Sequence, residues 1–207
     1  MRRIYLYFLL LTISCLCFRP SSRAQDSPGH KAEAMAASAP TSGFRAEFLE
    51  EIAYCEQRYT QLAEAIPAEK YTWRPAEGVR SVGEVFTHIA VGNYGIARAL
   101  GTAPPAGFDP KAIAALSTDK PKVLQALKDS FAHFRGAIIA LREADADKPQ
   151  KMFNRSTTLR GSFIAITGHF GEHLGQSIAY ARVNGIVPPW TEGFQQQQQK
   201  AADKPKP

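Results

Sequence analysis

Four segments of this 207-residue chain carry apolar side chains at intervals of three and four residues. That spacing puts the apolar side chains on one face of an α-helix. The third segment is the most regular, and its apolar positions are Leu124, Leu127, Phe131, Phe134, Ile138 and Leu141. No segment shows convincing strand alternation. We therefore predict an all-α chain in which four helices pack as a four-helix bundle.

The helix ends are marked by capping and breaking residues. The second helix opens at Ser81 with Glu84 three residues later, a capping box, and runs to about residue 100. A long connection, 101–117, separates it from the third helix. The fourth helix spans about 158–184 and ends at Asn184-Gly185, where glycine supplies a left-handed residue.

The N-terminus has the pattern of a cleaved export signal. Two arginines precede the apolar run 4–18, and small residues stand before an expected cleavage after Ala24. The run is shorter than the roughly 20 residues that span a membrane. We expect a periplasmic or secreted protein with no stable membrane insertion after cleavage. Lipoprotein processing at Cys15 is the alternative, although Thr12 stands where that motif has leucine.

The rest of the chain divides by composition. We predict a signal peptide over 1–24, a disordered linker over 25–42, one helical domain over 43–190 and a disordered, glutamine-rich tail over 191–207. The linker is rich in Ala, Ser, Pro and Gly and has few large apolar residues, so it cannot bury enough surface to offset chain entropy.

Charge and cysteine content exclude two classes of protein. The signal holds four arginines and no acid, which leaves 21 basic against 19 acidic residues, a net of +2 in place of +6. Since no basic cluster with interleaved aromatics remains, we expect no nucleic-acid partner. Cys55 is the one cysteine left beyond the signal, so no internal disulfide forms. Its place on an apolar helix face predicts burial.

The candidate chemistry lies in three histidines. His169 and His173 are four residues apart and so are neighbours on one helix face. Two imidazoles presented this way can bind one divalent ion, or they can be core residues satisfied by hydrogen bonds. His88 lies mid-helix in the second segment and completes three ligands if that helix faces the fourth. Gly92, one turn later, favours a close approach by a helix or ligand.

Other residues near these histidines are weaker candidates. Glu84, Glu172 and Gln176 could act as a base or bind substrate. Residues 169–173 match the H-x-x-E-H pattern of inverted zinc proteases, but those enzymes need a distant downstream glutamate ligand and only Glu192 follows, at the edge of the tail, so we do not favour a protease. His133 lies off the apolar face of its helix, and we expect it to be peripheral.

These motifs resemble the DinB-like superfamily. The shared features are Ser81 through Thr87 before His88, the ending Glu172-His173-Leu174-Gly175-Gln176, and Trp73-Arg74-Pro75 in the first loop. The ending over 172–189 is close to that of exported bacterial members. The resemblance implies a four-helix bundle with a long crossover between the second and third helices, which the 101–117 connection suits.

The same resemblance implies a function. It assigns His88, His169 and His173 to a divalent metal, zinc or nickel, and makes a homodimer an expectation. Three ligands leave coordination positions open, as in catalytic zinc sites. Members act as thiol-dependent S-transferases or isomerases, or look like metal-dependent hydrolases. Because reduced thiol cofactors are concentrated in the cytosol, export favours a hydrolase acting on an unidentified small molecule. The alternative is a non-catalytic, stress-associated metal-binding protein.

Overall fold

A computed structural model describes residues 39–202 of the chain, without the side chains of 192, 195–197 and 200–202. The expected signal peptide and most of the expected linker lie outside the described residues. Among the helices described, none is both long and apolar enough to cross a membrane.

The structure is mostly helical. Its four long helices are α1 (Phe44–Ala65), α2 (Val82–Ala99), α4 (Lys120–Ala140) and α5 (Leu159–Val183). Each coincides with one of the four predicted helical segments. The apolar face of each is buried, and Tyr59 on α1, Phe86 on α2, Phe131 on α4 and Phe170 on α5 have no exposed surface.

Packing brings α2 and α5 together. The most extensive helix contact is that of α2 with α4, while α1 packs on both α4 and α5, and α2 also touches α5. The buried Tyr59 hydroxyl donates to the carbonyl of Phe170 at 2.6 Å. This bond ties α1 to α5 next to His169, so the histidine pair lies on a helix whose position is held by the core.

The connection after α2 is structured. It contains a short helix α3 (Pro110–Ala115) and a 3-10 turn over Leu116–Thr118. This turn passes so close to α2 that a Cβ added at Gly83 would lie 1.8 Å from the Ser117 carbonyl oxygen. Glycine at position 83 therefore allows the connection to pack against the first turn of α2.

A β-hairpin corrects the prediction that the chain is all-α. Strands β1 (Pro149–Met152) and β2 (Arg155–Thr158) pair antiparallel and lead directly into α5. The sequence gives no alternation signal here because each strand is short and mostly polar. Its turn, Phe153-Asn154, also lacks the glycine that usually marks a two-residue hairpin.

The C-terminal segment is helical over its described residues. Helix α6 (Pro189–Ala202) covers residues that we expected to belong to a disordered tail. Trp190 is partly buried and packs against the core, and Arg58 lies 4.5 Å from its ring. This anchor places the start of α6 against α1. Elsewhere the burial of Cys55 is as predicted, and burial raises the pKa of its thiol to about 12.

Candidate metal centre

The start of α2 is held by a complete set of local hydrogen bonds. The Glu84 amide donates to the Ser81 hydroxyl at 3.3 Å, and the Ser81 amide donates to Glu84 Oε2 at 2.7 Å, as the capping box predicts. Arg74 donates to Glu84 Oε1 at 3.0 Å. These hydrogen bonds, first that from the Ser81 amide, lower the pKa of Glu84. Both carboxylate oxygens are thus engaged in structure, one turn before His88.

The three histidines meet between α2 and α5. Their ring centroids are 4.7 Å apart for His88 and His173, 4.7 Å for His169 and His173, and 5.6 Å for His88 and His169. One ring nitrogen from each lies within 4.8 Å of the other two, and all three side chains are partly buried. The structure therefore brings together the residues that the sequence singled out on two separate helices.

Burial favours the neutral form of two of the three imidazoles, those of His88 and His169. Burial, and then the nearby charges of Arg80, His173 and His169, lower the pKa of His88 to about 4. Burial is also the main cause that lowers the pKa of His169, and Glu172 acts in the opposite direction. Neutral imidazole is the form that ligates a metal, because the ring nitrogen must offer a lone pair.

A chain of side-chain contacts orients His173. Its Nδ1 is 2.9 Å from Gln176 Oε1, and Gln176 Nε2 donates to the Tyr180 hydroxyl at 2.8 Å. The Tyr180 ring in turn packs edge-on against Trp73 at 5.3 Å. Because Gln176 Oε1 can only accept, the contact assigns the proton to Nδ1 and leaves the Nε2 lone pair free. Such contacts orient ligating histidines in metal sites.

Gly92 leaves room beside this group. A Cβ at this position would have His169 Nε2 as its nearest neighbour, at 3.7 Å, and no other atom within 4 Å. The helices could therefore tolerate a side chain here, so helix packing does not explain the glycine. The space next to His169 Nε2 and the three-imidazole donor set would both fit zinc or nickel.

The remaining sequence candidates have other surroundings. Glu172 is exposed and borders a cavity of about 610 Å³ together with His169. His133 lies outside the group of three histidines, with its ring 4.9 Å from that of Tyr94, in line with the expectation that it is peripheral. The side chain of Glu192 is not described, so the protease pattern gains no further ligand among the described side chains.

The sequence reasoning missed the hairpin side of the centre. The ring of Phe153 lies 5.0 Å from that of His169 and borders two cavities beside it. Its only signal in the sequence is its place before Asn154, which tolerates turns. It also missed that Gln176 contacts His173, although a spacing of three residues makes them neighbours on a helix.

Comparison with known proteins agrees with this architecture. A crystal structure of a DinB-like protein from Bacillus cereus ATCC 10987 is 17% identical, with a TM-score of 0.59, over 69% of this chain and 93% of that one. A DinB-like protein of Bacillus subtilis, YjoA, is 19% identical over 68% of this chain and 94% of that one, with a TM-score of 0.45. The first of these likenesses supports the fold.

Curated proteins and family models give different results. No curated protein matches the chain. The family model of the DinB superfamily matches residues 51–177, a range that contains His88, His169, His173 and Gln176. That match covers more than half of the sequence, and the chain belongs to the DinB superfamily.

Proposed function

We propose that this protein binds a divalent metal, zinc or nickel, through His88, His169 and His173 and uses it to hydrolyse a small molecule. The observation that carries the proposal is the meeting of three partly buried imidazoles within 4.8 Å. Of their ring nitrogens, only Nδ1 of His173 has a hydrogen-bond partner within the described part of the chain. Each of the three imidazoles therefore keeps a ring nitrogen whose lone pair an ion could use.

When bound, such an ion supplies Lewis-acid chemistry, which polarises a carbonyl or lowers the pKa of a coordinated water or thiol. The chain itself supplies orientation and a proton acceptor. Gln176 holds His173 with Nε2 directed to the centre. We assign proton transfer to the Glu172 carboxylate, which is exposed beside His169 and has no ion pair among the described residues. Glu84 is unsuited to this role because Ser81 and Arg74 occupy its oxygens.

The proposed reaction is the hydrolysis of an ester or amide. Water adds its hydroxyl to the acyl carbon and the acyl–oxygen or acyl–nitrogen bond breaks. The leaving alcohol or amine takes up the remaining proton of that water. The frame that we propose for it is a four-helix bundle with a crossover between α2 and α4. We also propose export after cleavage at Ala24, testable by cell fractionation, and a homodimer, testable by light scattering.

Metal analysis tests the first step of the proposal. Protein purified without a nickel column should carry about one divalent ion per chain, and His88→Ala, His169→Ala and His173→Ala should each lose it. His133→Ala is the matched control, because it removes a histidine of the same bundle that lies outside the centre. An ion-free wild type, or an equal loss in the control, would rule out the site.

Activity tests the second step. Metal-loaded protein should hydrolyse members of a panel of esters, amides and lactones, and chelation should abolish turnover. Glu172→Gln should lower kcat while retaining the ion, because the substitution removes the proton acceptor and no ligand. A wild type that holds its ion but turns nothing over would make the protein a metal binder without hydrolase activity.

A further inference from the structure

The turn of the hairpin carries a residue that its local conformation disfavours. Pairing of Met152 with Arg155 leaves Phe153-Asn154 as a two-residue turn, with φ of +49° and +62°. Turns with two positive φ angles prefer Asn-Gly, and a bulky residue in this region is an outlier. Asparagine would suit the first position better than phenylalanine. Strained residues of this kind cluster at functional sites.

Burial does not explain why a phenylalanine stands at position 153. It remains 45% exposed, although its ring lies against His169. The same ring and the same histidine border both a cavity of about 610 Å³ and a second cavity of about 420 Å³. Phe153 therefore borders both of the cavities that reach His169 of the candidate metal centre.

The two cavities differ in chemistry. The smaller one, here called the α2 cleft, is lined mainly by apolar atoms and lies along α2 from His88 through Gly92 and Ile96 to Ala99. It borders both His88 and His169, so a group bound in it reaches the centre. The larger cavity has a greater share of polar atoms and is bordered by Arg155, Thr157 and Glu172. Volumes of this size hold small-molecule ligands.

We propose that the α2 cleft binds the unbranched acyl chain of the substrate and that Phe153 determines which chains fit. The substrate is then an ester or amide with an apolar acyl part along α2 and a polar alcohol or amine part in the larger cavity. Hydrolysis breaks the bond between these two parts at the centre, and water supplies hydroxyl to the acyl carbon and a proton to the leaving group. This inference rests on the hydrolase function proposed above.

Hydroxamates of increasing chain length test the cleft directly, because they bind zinc through their polar head and leave the alkyl chain to find a site. Affinity of the zinc-loaded protein should rise roughly fourfold for each methylene from acetohydroxamate to hexanohydroxamate, as expected for burial of apolar surface. Gly95→Leu should abolish this rise and leave acetohydroxamate binding unchanged. A Cβ at Gly95 meets nothing within 4 Å, so the added side chain enters the cleft without displacing the helix.

Substitution of Phe153 tests its role in selecting the acyl chain. Phe153→Asn supplies the residue that the turn prefers, so the thermal midpoint of metal-free protein should not fall. The preference for hexanohydroxamate over the bulky cyclohexanecarbohydroxamate should fall by about tenfold or more. Asn154→Gly is the matched control, since it relieves the same turn but keeps the ring, and it should preserve the preference.

The outcomes separate this inference from the proposed function. If the wild-type protein holds no zinc, both the proposed function and the acyl cleft are overturned. Metal analysis shows this before any hydroxamate is added. Wild type that holds zinc and acetohydroxamate without any dependence on chain length refutes the acyl cleft alone. If Phe153→Asn keeps the wild-type preference for hexanohydroxamate over cyclohexanecarbohydroxamate, Phe153 does not select the acyl chain.

Discussion

Gly92 offers a test in which stability and metal binding should change in opposite directions. Glycine in the interior of a helix costs about 1 kcal/mol relative to alanine, and Gly92 lies in the middle of α2 (Val82–Ala99). An added Cβ would be 3.7 Å from His169 Nε2, an ordinary contact distance, with no other atom within 4 Å. Gly92→Ala should therefore stabilise the metal-free protein by about 0.5–1 kcal/mol, a rise in Tm of about 1–4 °C.

The same methyl group should impair metal binding. Zinc must come within about 2.1 Å of a ligating imidazole nitrogen, and the methyl group of Gly92→Ala would fill space beside that nitrogen on His169. We expect zinc affinity to fall by roughly 10- to 100-fold, the range observed when the surroundings of a ligating histidine are altered. Titration against a chromophoric chelator measures the affinity, and thermal unfolding of the chelated protein measures the stability.

Gly136→Ala is the control for helix propensity. Gly136 lies inside α4, and a Cβ there would meet nothing within 4 Å. This variant should gain a similar stability and bind zinc as the wild type does. If Gly92→Ala gains stability but keeps its zinc affinity, the space beside His169 is not part of the metal site. If it loses stability, the 3.7 Å contact is not tolerated, and the steric reasoning fails.

Three further predictions concern other parts of the structure. Tyr59→Phe should lower the free energy of unfolding by about 1–2 kcal/mol in urea, because the buried hydrogen bond from the Tyr59 hydroxyl to the Phe170 carbonyl is lost; a change near zero would contradict this. Gln176→Leu should weaken zinc binding roughly 10- to 100-fold with little change in Tm, because His173 loses its orienting contact; unchanged affinity would remove Gln176 from that role. Burial lowers the pKa of His133 below its ordinary value of 6.5, so the unfolded chain binds that proton more readily and stability is lost as pH falls below about 6.5. The decline in Tm of metal-free protein should therefore be shallower in His133→Gln, and parallel curves would contradict the assignment.

The helices were predictable because their signals are local. Apolar residues at intervals of three and four residues specify which face of a helix is buried, and the buried positions Phe131, Phe134 and Ile138 follow that pattern on α4. The capping box at Ser81 was equally readable, since its donors and acceptors lie within one turn. Spacing also placed His169 and His173 side by side. That His88 joins them depends on how α2 packs on α5, which local spacing does not specify.

The hairpin and the role of Glu84 show where sequence reasoning ran short. The hairpin pairs two short polar strands through Phe153-Asn154, so it has neither apolar alternation nor a glycine turn. Glu84 was assigned both to the capping box and, as a weak candidate, to catalysis. In the structure one oxygen accepts in the cap and the other accepts from Arg74. Capping and catalysis would therefore compete for the same lone pairs of Glu84.

The surroundings of the three histidines differ from one packed element to the next. The group of three histidines includes no fourth His, Cys, Asp or Glu among the described residues. The core helices α1 and α4 fill the interior behind α5 with aromatic rings, including Tyr59 and Phe131, each within about 6.2 Å of the Phe170 ring. The hairpin supplies Phe153, which cannot ligate a metal and whose ring lies against His169 and borders two cavities. The residues that would hold a metal are therefore bordered by an element that the sequence did not predict, and the substrate selection that we propose would depend on that hairpin.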